Sequence, residues 1–231
     1  MSITKFGFVS AVATLLFATA GCYDDPVSGS AQHLLPAEKR VYLKNAGIGR
    51  LTADVVYEKG LVYDTSLWTN LSSRVSLEEF KSAGMKSVDY LNLDYNALTN
   101  VDGVVGFTAL KWLRLNSNRL SGLPDISGLS DLRKIYLRNN RFASVPEILK
   151  KLPRLTDIDL SGNRQLREVP QWLAERPGLE HLSFSSTSLT RLPDDISAWK
   201  SLKTLQLGDL PLSKEEMERI RAALPDTAVV F

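Results

Sequence analysis

From residue 88 onward the apolar positions recur in one order: apolar, two variable, apolar, one variable, apolar, two variable, asparagine, one variable, apolar. The first copy is Val88, Leu91, Leu93, Asn96 and Leu98, and the second is Leu110, Leu113, Leu115, Asn118 and Leu120. The third is Leu132, Ile135, Leu137, Asn140 and Phe142. The fourth is Leu155, Ile158, Leu160, Asn163 and, one residue late, Leu166. Leu179, Leu182, Phe184, Thr187 and Leu189 form the fifth, and Leu202, Leu205, Leu207, Leu210 and Leu212 the sixth. We number the places of a copy 1 to 11, so that the apolar residues fill 1, 4, 6 and 11 and asparagine fills 9. Starts at 88, 110, 132, 155, 179 and 202 give a period of 22 to 24 residues, the range of stacked repeat units.

The pattern carries its own structural prediction. Apolar residues at places 4 and 6, with variable residues between, alternate as a short strand does, so their side chains share one face. One copy cannot bury that face alone. Stacked copies pair their strands into a parallel sheet and join their leucines into one core. Asparagine at place 9 turns the chain after the strand, its side chain satisfying backbone groups within the turn. Thr187 can do part of this work, whereas Leu210 cannot, which places the end of the stack at the sixth copy. The second half of each copy repeats as well: Leu123-Pro124, Val145-Pro146, Val169-Pro170 and Leu192-Pro193 are followed by Ile126, Ile148, Trp172 and Ile196. Proline there removes a donor and fixes φ, so this side turns instead of continuing as a strand.

These residues resemble the leucine-rich-repeat family over 88–212, in its L-P-x-x-I-x-x-L-x-x-L variety. The resemblance implies an α/β repeat solenoid: a horseshoe-like arc with a parallel, concave β-sheet and helical caps. It also implies that the variable places of the strand bind, and that the fold needs no cofactor. Ser213 and Glu216 have capping-box spacing and open a helix with Met217, Ile220 and Leu224 on one face, so residues 213–231 are expected to close the C-terminal end. Ala228–Phe231 can add a last edge strand. Ser76 and Glu79 open a second short helix, expected as the N-terminal cap within a flanking region 36–87. Leu51, Ala53, Val55 and Tyr57 alternate there and Trp68 follows, but they fix no topology.

The variable places make a grid of candidate contacts, with rows about 4.8 Å apart. Place 3 carries Tyr90, Trp112, Lys134, Asp157, His181 and Thr204. Place 5 carries Asn92, Arg114, Tyr136, Asp159, Ser183 and Gln206. Arg138 stands at place 7 of the third row. Tyr, Trp and Arg are the types most enriched at binding hot spots. A binding patch is therefore expected over Tyr90, Trp112, Arg114, Lys134, Tyr136, Arg138, Asp157 and Asp159. A second account has the aromatics merely stacking on cations and the acids merely pairing with bases across strands. Asp157 and Asp159, with His181 one row on, also suit general acid–base work, but no nucleophile motif accompanies them and an open sheet excludes little water.

Composition narrows the classes. Among 231 residues, 28 lysines and arginines against 26 acids give a formal charge of +2, without the basic footprint of a nucleic-acid binder. A single cysteine, Cys22, excludes an internal disulfide framework, and two distant histidines offer no metal-ligand spacing. Cys22 ends an N-terminal segment in which Lys5 precedes an apolar run from Phe6 to Ala20, the form of a signal peptide over residues 1–21. Ala18-Thr19-Ala20-Gly21-Cys22 resembles the lipobox of bacterial lipoproteins, with threonine where leucine is usual. That resemblance implies acylation of Cys22, and Tyr23 lacks the aspartate that would favour the inner membrane. Residues 22–35 are rich in Pro, Gly, Ser and Asp, as a tether is. The sequon at Asn70 has no bearing outside a eukaryotic secretory route. The expectation is a monomeric, non-catalytic protein-binding module at a bacterial cell envelope, lipid-anchored at the outer membrane. A secreted protein engaging host or prey molecules is the alternative, and an enzyme using Asp157, Asp159 and His181 the third.

Overall fold

The computed structural model describes residues 39–42, 44–45, 47–48, 61–64, 86 and 88–231, all within the unit that spans Ala37–Phe231. The expected signal peptide, Cys22, the tether, the helix from Ser76 and the alternation at 51–57 with Trp68 lie outside the described residues.

Each repeat contributes one strand: β3 (Val88–Asn92), β4 (Trp112–Arg114), β5 (Lys134–Tyr136), β6 (Asp157–Asp159), β7 (His181–Ser183) and β8 (Thr204–Gln206). They pair in chain order, parallel throughout, with place 3 beside place 3 and place 5 beside place 5. Two strands flank β3: β1 (Lys39–Tyr42) pairs with it in parallel, and β2 (Leu61–Asp64) pairs with β1 antiparallel at the edge. At the other end β9 (Ala228–Val230) joins β8 in parallel, so the open sheet runs β2-β1-β3-β4-β5-β6-β7-β8-β9. Every residue at places 1, 4 and 6 of the six rows is at most 2% exposed. Removing one such leucine costs about 2–5 kcal/mol, so each row is held mainly by its neighbours' leucines.

Opposite the sheet the chain turns in short helical segments at Asp102–Gly106, Glu147–Lys151 and Ser197–Ser201, and in the four-residue helix α1 (Gln171–Ala174). Pro146 and Pro170 precede two of them with φ of −61° and −69°, the value the ring imposes. Trp199 is fully buried on this side, and its indole Nε1 donates to the Leu173 carbonyl at 2.8 Å. Helix α2 (Lys214–Ala223) and its C-cap residue Leu224 cover the last row, with Ile220 and Leu224 buried. Its N-terminus departs from the expected capping box. Ser213 Oγ accepts from Glu216 N at 3.2 Å, but the Glu216 carboxylate accepts from Leu192 N at 2.8 Å and pairs with Arg219. The box is half made because the carboxylate finds an open amide in the row below.

The turn asparagines bond backward. Asn118 Nδ2 donates to Leu115 O and, one row back, to Leu93 O, both at 3.0 Å, while its Oδ1 accepts from Leu98 N at 3.1 Å. Asn140 and Asn163 repeat this with Leu120 N and Phe142 N, each at 3.0 Å. The late leucine of row four changes the demand on row five. Leu166 N already donates to Asn163 O at 2.9 Å. Row five therefore needs no acceptor at place 9, and the Thr187 hydroxyl, donating to Phe184 O at 2.8 Å, suffices.

The described residues of 39–48 follow the same course. Val41 sits beside Leu91, Asn45 N donates to Asp94 O at 2.9 Å, and Ile48 N donates to Asn96 Oδ1 at 3.2 Å. Asn45 has φ of +53°, as place 8 does in the rows that follow: Tyr95 +57°, Ser117 +55°, Asn139 +53°, Gly162 +72°, Ser186 +56° and Asp209 +60°. A row without the asparagine signature thus precedes the six that the sequence declares.

Candidate functional site

The expected patch lies on the concave face of β3 to β6, and the rows knit its side chains together along the stack. At place 3, Tyr90 meets Trp112 edge-on, with ring centres 5.8 Å apart at 66°. Lys134 Nζ lies 5.2 Å above the centre of the same indole and 3.1 Å from Asp157 Oδ1. Asp157 Oδ2 accepts from Thr156 Oγ1 at 2.6 Å. Each link is modest, about 0.5–1.5 kcal/mol for the aromatic pair and 0.5–1 kcal/mol for an exposed cation over a ring. Together they fix the orientation of Trp112.

Place 5 is knitted at a slant. The Arg114 guanidinium lies 5.6 Å from the centre of the Tyr136 ring. It also reaches back to the fully buried Asp94, place 7 of row one, through Nε at 2.9 Å and Nη2 at 2.8 Å. Asp94 Oδ1 accepts from Asn116 N at 2.7 Å, and Asn116 Oδ1 from Arg138 N at 2.9 Å. Burial pushes the Asp94 carboxyl above its ordinary value, opposed by the Arg114 charge and the Asn116 amide. Asp159 is buried too and its carboxyl is likewise pushed up, against the pull of Ser161, Arg138 and Arg114. Its Oδ1 accepts from Ser161 N at 2.9 Å. Beyond it, the hydroxyls of Ser161 and Ser183 share a hydrogen bond of 2.5 Å.

The eight expected residues therefore separate by depth. Trp112, Arg114, Lys134, Tyr136 and Arg138 are half-buried with surface still open. Tyr90 at 3%, Asp157 at 5% and Asp159 at 7% are buried, although their places were expected to face out. Burial converts these three from contacts into supports: Tyr90 backs Trp112, and Asp157 anchors Lys134. The supports that sequence reasoning passed over are Asp94 and Asn116, both at place 7. Reading place 7 of one row against place 5 of the next would have found the Asp94–Arg114 pair.

The carboxylates do not form a catalytic set. Asp157 is engaged by Lys134 and Thr156, and Asp159 by Ser161. Among the described residues no hydrogen bond joins either to His181, and no group of three or more His, Cys, Asp or Glu side chains is arranged to hold a metal ion. No described helix is long and apolar enough to cross a membrane.

The leucine rich repeat family model matches residues 108–165. No curated protein matches the chain. Among solved structures, a leucine-rich-repeat protein of Leptospira interrogans is 22% identical, aligning 63% of this chain with 55% of that one at a TM-score of 0.37. The plant peptide hormone receptor RGFR1, solved in complex with RGF2, is 25% identical over 55% of this chain and 25% of its own, with a TM-score of 0.46. An internalin of Listeria monocytogenes is 19% identical over 77% of this chain and 53% of its own, with a TM-score of 0.54. The chain spans about half, or less, of the length of these structures. At such identities the likeness concerns the fold. Repeat pattern, family match and sheet topology agree: residues 108–165 are leucine-rich repeats, and the described chain has the leucine-rich-repeat fold.

Proposed function

We propose that the chain is a non-catalytic binding module that takes a protein partner on its concave face, held at a bacterial cell envelope by acylated Cys22. The observation that carries the binding reading is the interlocked grid of Trp112, Arg114, Lys134 and Tyr136, half-exposed and fixed by buried partners. Aromatic and guanidinium groups held in place before contact lose little freedom on binding, which is where interfaces otherwise lose affinity. Commitment of Asp157 and Asp159 to structural partners favours binding over acid–base chemistry. The anchor reading rests on the lipobox-like Ala18–Cys22 and the tether after it. Several acyl chains, each buried methylene contributing about 0.8 kcal/mol, hold a soluble domain firmly.

Two experiments test this. Crosslinking in envelope extract should recover a protein with the native chain that Trp112→Ala/Arg114→Ala does not recover, and equal recovery by both removes the patch. Labelled palmitate should enter the native chain and not Cys22→Ala. Label in neither chain, with the protein free in the medium, would favour the secreted alternative.

A further inference from the structure

Three arginines directly follow turn asparagines: Arg119 after Asn118, Arg141 after Asn140 and Arg164 after Asn163. Stacking sets the first two in file, since Arg119 N donates to Leu98 O at 2.9 Å and Arg141 N to Leu120 O at 2.8 Å. In row five Ser188 takes this station, and its Oγ donates to Arg164 O at 2.6 Å, so the file ends there. Three exposed arginines thus stand on the turn side of adjacent rows, whose strands lie about 4.8 Å apart.

Four other arginines of the described chain have acidic partners, Arg114 with Asp94, Arg154 with Asp131, Arg191 with Asp194 and Arg219 with Glu216, whereas others such as Arg133 and Arg167 do not. What sets Arg119, Arg141 and Arg164 apart is their common station on adjacent rows. The three in file form no ion pair among the described residues. Like charges in neighbouring rows repel. The stack therefore carries an electrostatic cost that an acidic ligand would relieve. Around the file the surface is polar, with Asn139 Nδ2 donating to Ser117 Oγ at 3.5 Å. Of the exposed large apolar residues, Tyr95 stands at place 8 of row one, one row before the file begins, while Val105 and Val230 lie elsewhere.

We propose that this file binds an extended acidic segment of a protein partner. A guanidinium takes a carboxylate with two parallel hydrogen bonds, and in an extended chain every second side chain faces the same way, about 6.7 Å apart. Long arginine side chains span the difference from the row spacing. A membrane surface suits the site less well. Interfacial binding calls for apolar or aromatic side chains to enter the headgroups, and a single file meets a plane along a line only. The inference rests on the chain being a binding module but not on the concave patch.

The test is a titration of a fluorescein-labelled octaglutamate peptide with the full chain, read by anisotropy. Binding should weaken as salt rises from about 0.05 to about 0.5 M. Arg119→Gln/Arg141→Gln/Arg164→Gln should bind about tenfold more weakly, with a melting temperature no lower than that of the native chain. Trp112→Ala/Arg114→Ala should bind as the native chain does. Absence of binding, or equal binding by the native chain and the glutamine variant, overturns the proposal. So does loss confined to the Trp112/Arg114 variant, which would move the acidic ligand to the concave face. Arginine-dependent binding to phosphatidylglycerol vesicles without peptide binding would assign the file to lipid and overturn it equally.

Discussion

Replacing Asn140 by alanine isolates the contribution of a backward-bonding turn residue. Its Nδ2 donates to Leu115 O at 2.9 Å, Leu137 O at 3.0 Å and Arg138 O at 3.2 Å, and its Oδ1 accepts from Leu120 N at 3.0 Å. Asn140 is 9% exposed, so water has little access to the groups it leaves behind. An orphaned buried donor or acceptor costs about 1–3 kcal/mol. Leu120 N–H loses its acceptor, while Leu115 O, Leu137 O and Arg138 O each lose one bond but keep Asn118 Nδ2, Asn163 Nδ2 and Ser117 N, so one orphaned amide and three lost bonds together cost roughly 3–5 kcal/mol. Thr187→Ala, in the equivalent turn of row five, removes a single bond and leaves one buried carbonyl, Phe184 O, without its donor, a cost of about 1–3 kcal/mol. Urea unfolding followed by circular dichroism at 25 °C gives both values in one background. Against a domain stability of about 5–15 kcal/mol the larger loss is easily read. Equal costs for the two variants would refute the view that the asparagine acts between rows. Asn140→Asp sharpens the comparison: its carboxylate keeps the Leu120 N–H acceptor but faces carbonyls, so it should recover only part of the loss.

Three further outcomes follow from particular contacts. Asp159→Asn should be at least as stable as the native chain at pH 7. Burial raises the folded-state pKa, so the native chain is favoured below the unfolded value near 3.9 and loses that advantage as pH rises towards the folded one. A loss above about 1 kcal/mol at pH 7 would show the carboxylate to be held by charge instead. Gly162→Ala should destabilise by about 1–3 kcal/mol, because φ is +72° and the new Cβ would lie 2.1 Å from Asn139 Oδ1. In Gly162→Ala/Asn139→Ala the clash is relieved and the strain remains, so calorimetric melts should show partial recovery, and full recovery would deny the strain. Glu216→Ala should lower the melting temperature more than Ser213→Ala. The serine caps one amide, while the glutamate serves Leu192 N and orients Arg219, whose Nη1 donates to Asp194 O at 3.0 Å. The reverse order would mean that Glu216 acts only within its helix.

The six rows were legible because leucines at places 4 and 6 and asparagine at 9 answer to local geometry, which repeats wherever the backbone repeats. Residues 39–48 escaped notice because the place-9 position there is Ala46 and the matching strand residue, Leu91, lies 50 positions beyond Val41. Backbone pairing tolerates that gap, while a search for asparagine at fixed spacing does not. The membership of the grid was legible too, since register follows from the repeat. Depth was not. Whether Tyr90 faces solvent or backs Trp112 depends on side chains one row away, and Arg114 finds Asp94 twenty residues back on a different place of the row. Such diagonal pairings leave no mark in any single copy.

The backward bonds give the solenoid a direction of assembly. The place-11 amides of Leu98, Leu120 and Phe142 gain their acceptors from the row that follows, so each turn is completed by residues made 20 or 21 positions later. A chain emerging from the ribosome would hold its newest turn open until the next asparagine arrived. Leu166 breaks this dependence by bonding Asn163 O within its own turn. Ending a chain just before Thr187 orphans no such amide, whereas ending it before Asn163 leaves Phe142 N–H bare. The single extra residue of row four is therefore a seam, a point where a stack can pause, be shortened or be joined to other rows.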